Sequence, residues 1–128
     1  MAGFTTAGAN LSLAWITNTG SPTRPAGSYI ALFTVAPTDA GGGTEVTGGS
    51  YARQAITWTT PSGASTQPNA TVTFPTASAD WGTIVAAAIF DASTSGTMLL
   101  WNNVTVSKSI LNGDTASFTA SNLTFTLD

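Results

Sequence analysis

The sequence predicts an all-β protein, a single-domain β-sandwich or jelly-roll-like body of about eight short antiparallel strands behind an N-terminal arm or short helix. Three observations carry this expectation. Thr, Val, Ile, Phe, Trp and Tyr, the residues that fit a pleated and half-buried surface, fill the apolar segments. Gly, Pro, Asn and Asp clusters punctuate them at roughly the 8 to 12 residue spacing of short strands. Few stretches have the Glu, Lys, Leu and Gln content of an exposed helix. With 128 residues the chain suits one domain, divided here into an arm and Pro/Gly-rich segment over residues 1–27 and a β body over 28–128.

The elements follow in order. Residues 1–19 are ambiguous, because Leu11, Ala14 and Trp15 have helical spacing while Leu11, Leu13 and Trp15 alternate as in a strand. Gly20, Pro22, Pro25 and Gly27 then break regular structure and predict a hinge or wrapped loop. The run Tyr29-Ile30-Ala31-Leu32-Phe33 is apolar on both faces, as in a strand covered on each side. Residues 36–50, with Pro37 and two glycine clusters, predict a long surface loop. Residues 51–59 alternate as a strand, and 70–74 as a short one ended by Pro75. Residues 81–90 read as a central strand whose Ala86, Ala87 and Ala88 permit close approach of a facing sheet. Residues 97–101 predict its hairpin partner, and 104–110 a further strand before the tight turn at Asn112-Gly113-Asp114. Residues 115–119 and 123–127 close the chain, with Leu123, Phe125 and Leu127 expected to point inward.

Charge is the scarce commodity here. Three basic residues (Arg24, Arg53, Lys108) and six acidic ones stand in a chain with no His and no Cys, whereas a typical domain is about one-quarter charged. Without a basic stripe the chain has little to offer nucleic acid. The longest apolar stretch, 84–90, is far below the roughly 20 residues of a membrane span, and no cationic start followed by a long apolar run suggests a signal peptide. A serine nucleophile would lack a histidine base. The glycine clusters lack the Lys-Ser/Thr of a phosphate loop, and no Asp/Asn ladder marks a calcium loop. No catalytic residue, metal ligand or cofactor is therefore expected.

The carboxylates sit one to a loop or turn, where Asp80, Asp91 and Asp114 suit capping of backbone N–H groups. Arg53, beside Tyr51 in apolar surroundings, needs a partner. Glu45, Asp80 and Asp91 are the candidates for a tie that fixes strand-to-loop register. Trp58, Trp81 and Trp101 are expected in the core. Trp15, with Leu11, Leu13 and Arg24, is the candidate partner-binding set, because an aromatic in a loosely specified arm is suited to an interface.

Taken in order, Tyr29-Ile30-Ala31-Leu32-Phe33, Gly43-Thr44-Glu45-Val46, Gly49-Ser50-Tyr51-Ala52-Arg53-Gln54, Phe74-Pro75-Thr76-Ala77, Asp80-Trp81-Gly82-Thr83-Ile84, Ile89-Phe90-Asp91-Ala92 and Ser107-Lys108-Ser109-Ile110-Leu111-Asn112-Gly113-Asp114 resemble a family of small tailed-bacteriophage virion proteins. Its members are often labelled tail fibre proteins and are similar to capsid cement or decoration proteins. The resemblance spans most of residues 28–127 and implies a non-enzymatic structural protein of the virion, assembled in the host cytoplasm. Size favours a cement protein on the capsid exterior, since a lone compact domain makes a poor complete fibre. Many symmetric copies would then add avidity. Its expected partners are the major capsid protein, reached through residues 1–27 and 36–50, and itself as a homodimer or homotrimer. The alternative is a tail fibre or tail-associated module that recognises host surface glycan.

Overall fold

A computed structural model describes residues 3–122 and 124–126, which are mainly β with one α-helix and a short 3-10 turn at Ala120–Asn122. The principal sheet is built on three long antiparallel strands, β2 (Tyr29–Val35), β7 (Gly82–Phe90) and β8 (Met98–Ile110). Strand β1 (Gly3–Phe4) adds to the β8 edge, opposite Trp101 and Leu100. Strands β3 (Thr44–Glu45) and β4 (Gln54–Ala55) share the far edge of β2. Two short ribbons complete the body, β6 (Val72–Thr73) with β9 (Ser117–Phe118), and β5 (Ser65–Thr66) with β10 (Phe125–Thr126).

Strand alternation sends the apolar residues of β2 and β7 to both sides. Ile30, Leu32, Ala87 and Ile89 face the larger core with Ile56, Val72, Phe74, Trp81 and Ile110. Thus the β6–β9 ribbon lies over this face of the sheet. Ala31, Phe33, Ala86, Ala88, Met98 and Trp101 form a second cluster, which the 36–43 loop reaches when the Trp101 indole N–H donates to Asp39 Oδ1 at 2.9 Å. Trp58 is half-buried against the larger core.

Several elements differ from their sequence-based bounds. Residues 51–59 form a regular strand only at Gln54–Ala55, because their other backbone groups bond to loops: Ile56 N–H to Ser28, Thr59 N–H to Gln67, and Thr57 C=O to Asn69. Residues 97–101 and 104–110 are one strand. The Asn102-Asn103 pair does not break it but precedes a register shift, where Ala86 pairs with Asn103 while Ile84 pairs with Lys108. The 36–50 loop contains β3 and the buried Val46. The inward alternation expected of Leu123, Phe125 and Leu127 falls on residues and side chains outside those described.

Residues 6–17 resolve the N-terminal ambiguity as helix α1 (Thr6–Thr17). Thr5 is the cap. Its hydroxyl accepts from Gly8 N–H at 3.0 Å and donates to Met98 C=O at 2.6 Å, so one buried side chain both starts the helix and fixes it to β8. The Thr5 N–H bonds Leu99 C=O, and Thr6 N–H bonds Asp39 C=O. Gly8 is required at this contact because a Cβ there would overlap the Leu99 carbonyl. The helix ends at Asn18, which takes the left-handed conformation (φ 53°) and returns its N–H to Ala14.

Candidate assembly surface

Helix α1 is tied to the sheet at its first turn, through Thr5, Thr6 and Gly8. Gly8 is its one buried residue, and twelve residues at the α-helical rise extend about 18 Å. Leu11 is half-buried, whereas Leu13, Trp15 and Ile16 are 58, 65 and 79% exposed. Residues 6–17 contain no charge, so apolar groups occupy every side of the helix rather than one stripe. A helix of that kind ordinarily lies inside protein. Among described side chains Trp15 is the one exposed aromatic. Arg24, in the irregular segment that follows, is exposed and has no ionic or hydrogen-bonding partner among the described residues.

The proposed tie residues separate into two kinds. Arg53 meets Glu45 through two parallel bonds, Nε to Oε1 and Nη2 to Oε2, both 2.8 Å. Its Nη1 donates to Ala92 C=O (3.0 Å) and Ser95 C=O (2.7 Å), and the guanidinium lies 3.7 Å from the centroid of the Phe90 ring. Tyr51 joins them, donating its O–H to Glu45 Oε1 at 2.8 Å and accepting Leu32 N–H at 3.0 Å. This one network joins β2, β3, residues 51–53 and the β7–β8 turn. The hydrogen bond to Glu45 raises the Arg53 pKa further, against the opposing effect of burial.

Asp80 and Asp91 make no hydrogen bond to Arg53. Asp80 Oδ1 accepts Asn112 N–H at 2.8 Å, Asp91 Oδ1 accepts Thr97 N–H at 2.7 Å, and Asp114 Oδ2 accepts Leu111 N–H at 2.9 Å. Asp91 acts on Arg53 only as a nearby charge. Its turn requires glycine at 96 (φ 76°), where a Cβ would stand 2.5 Å from Asp91 Oδ1. Thr5 and Asp39, which lock the helix to the sheet, escaped the sequence reading. The Thr5 cap followed by an Ala-rich segment was the available signal.

Burial pushes the Tyr51 hydroxyl well above its ordinary pKa of 10.0, against the lowering effect of the Leu32 N–H bond. The folded protein therefore keeps a proton that the unfolded chain releases near pH 10. Its contribution is fully present below about pH 10 and is lost as pH rises through the folded value. Denaturant unfolding between neutral and strongly alkaline pH should show a steeper loss for the wild type than for Tyr51→Phe. At neutral pH that variant should cost about 1–2 kcal/mol, because Leu32 N–H loses its acceptor.

Among the described residues no group of three or more His, Cys, Asp or Glu could hold a metal ion. The carboxylates described above accept from backbone N–H groups, from Arg53 and Tyr51, or from the Trp101 indole, and three of the exposed large apolar side chains, Leu13, Trp15 and Ile16, stand on helix α1. A charge-poor β body thus carries an uncharged helix whose C-terminal half is largely exposed. A family model described as podophage GP4 fiber I protein gp80 matches residues 3–126. The chain belongs to this Gp80 family and is a structural protein of the phage virion. No curated protein matches it.

Proposed function

We propose that this protein is a non-catalytic fibre subunit of the virion, built into the particle through helix α1. The observation that carries the reading is the exposure of Leu13, Trp15 and Ile16 on a helix with no charge and a fixed base. Apolar area of this kind marks a protein contact. An uncharged helix also docks without desolvating ions. The family name supports a fibre location over the capsid exterior.

Decoration of the major capsid protein is the second reading. It is favoured by the β body's short elements and by a helix of only about 18 Å, too small to form a shaft by itself. Gold labelling of a C-terminal tag on intact particles separates the two. Label on fibres or the tail is expected; label spread evenly over the head would overturn the fibre reading in favour of decoration.

A further inference from the structure

We propose that α1 docks onto a second copy of this chain, in the charge-poor trough, floored by apolar side chains and edged by Asn, Ser and Thr, that runs beside β8. This names the partner of α1 and rests on its reading as an assembly element. The trough consists of two depressions of about 520 and 240 Å³. Their walls share Val104, Val106, Phe118 and Asn122, with Asn102 and Asn103 adding polar edge to the first and Lys108 standing at the second.

Three features match helix to trough. In polarity, residues 6–17 carry no charge, and the described lining of both depressions carries one, Lys108. In length, β8 from Asn102 to Ile110 runs for roughly 25 Å, long enough for a helix of about 18 Å. In electrostatics, Lys108 has no ionic or hydrogen-bonding partner among the described residues, while the last turn of α1 contains no basic residue to meet its partial negative charge. Seating α1 with its C-terminal end toward Lys108 satisfies both.

The helix of the same copy does not cover this region. Thr5 and Gly8 fix its base at Met98 and Leu99, and residues 102, 103 and 105–109 remain exposed. The bulged register between Asn103 and Lys108 also disfavours simple strand addition along the β8 edge, leaving the side-chain trough as the contact. Because helix and trough are different surfaces, copies joined by them either exchange helices as a reciprocal pair or run head to tail, into a ring where the rotation between copies closes.

The absence of cysteine permits a direct test on the full chain. Ile16→Cys and Val106→Cys, both at 79% exposed positions, are purified separately, mixed and oxidised. The expected product is a disulfide-linked dimer containing one copy of each variant. The double variant, oxidised alone, should link its own copies covalently, as a doubly linked dimer or a ring, read by mass. Self-linked Ile16→Cys dimers as the main product, or no cross-link in the mixture, would overturn the proposal. Lys108→Glu should weaken association of the otherwise wild-type chain about two- to fivefold; unchanged association would count against the seating. Failure here with label still on fibres refutes the partner alone, whereas label on the head refutes the fibre reading.

Discussion

Replacing Phe74 by alanine is expected to cost about 4 kcal/mol of folding stability, within the range for removing a buried phenylalanine ring. Phe74 is 2% exposed and sits among three other rings, with centroids 6.0 Å away at Tyr51, 6.3 Å at Trp81 and 6.2 Å at Phe118. The last two meet it edge to face, an arrangement that adds favourable quadrupole contact to the buried area. Position matters as much as area. Phe74 follows β6, its N–H bonds Ala116 C=O, and its ring carries the β6–β9 ribbon onto the principal sheet. Alanine would leave a cavity that Trp81 cannot readily fill, because its indole N–H is committed to Gly49 C=O at 2.8 Å. Denaturant titration should show the unfolding midpoint fall steeply with the slope nearly unchanged. A loss below about 1 kcal/mol would mean that this cluster does not join ribbon to sheet.

Arg53→Ala is expected to be nearly as damaging, at about 3 kcal/mol. Removing one member of a buried ion pair leaves the other charge without compensation. The Arg53 side chain is 8% exposed, but that of Glu45 keeps 23% exposure, so water recovers part of the loss and the lower end of the range applies. Two backbone carbonyls, of Ala92 and Ser95, would also lose their donor. Arg53→Lys should restore little, since an ammonium cannot make the paired bonds to Glu45 and reach the turn together. Glu45→Gln should likewise destabilise, and the double variant should lose less than the sum of the single ones. Additive losses would show that the residues act separately.

Strands β2 and β7 were legible because their residue types admit few alternatives. Ile30, Leu32 and Ile89 on one face, with Ala31, Phe33 and Ala88 on the other, require cover on both sides, and a central strand provides it. The segment 51–59 shows the limit of alternation. Tyr51, Ile56 and Trp58 are directed by burial into the core side of the body, yet its backbone is satisfied by loops rather than by a ladder. Periodicity reports where side chains go, not what the N–H groups meet. Asn102-Asn103 lies between the two strands expected at 97–101 and 104–110, but pairing with Ala87 and Ala86 holds both in β8.

The N-terminal segment was undecidable from apolar spacing alone, since Leu11 and Trp15 fit either period. Thr5 decides it locally by capping the helix, and Met98 decides it globally by accepting the Thr5 hydroxyl. That second contact spans 93 positions and leaves no local sequence pattern. The Arg53 network was similarly half legible. A lone arginine in apolar surroundings signals a partner, but choosing Glu45 over Asp80 and Asp91 depends on β3 pairing with β2, which places Glu45 opposite Phe33.

The most direct measurement of the role assigned to α1 is incorporation of a Trp15→Asp, Ile16→Asp double variant into particles. Both side chains are exposed, but two carboxylates in the last turn of α1 meet its partial negative end, so the isolated variant should stay folded with a loss of about 1–2 kcal/mol. Its copy number on purified virions, measured by quantitative mass spectrometry against the major capsid protein, should fall at least tenfold. Wild-type copy number in a variant with intact folding would contradict attachment through α1.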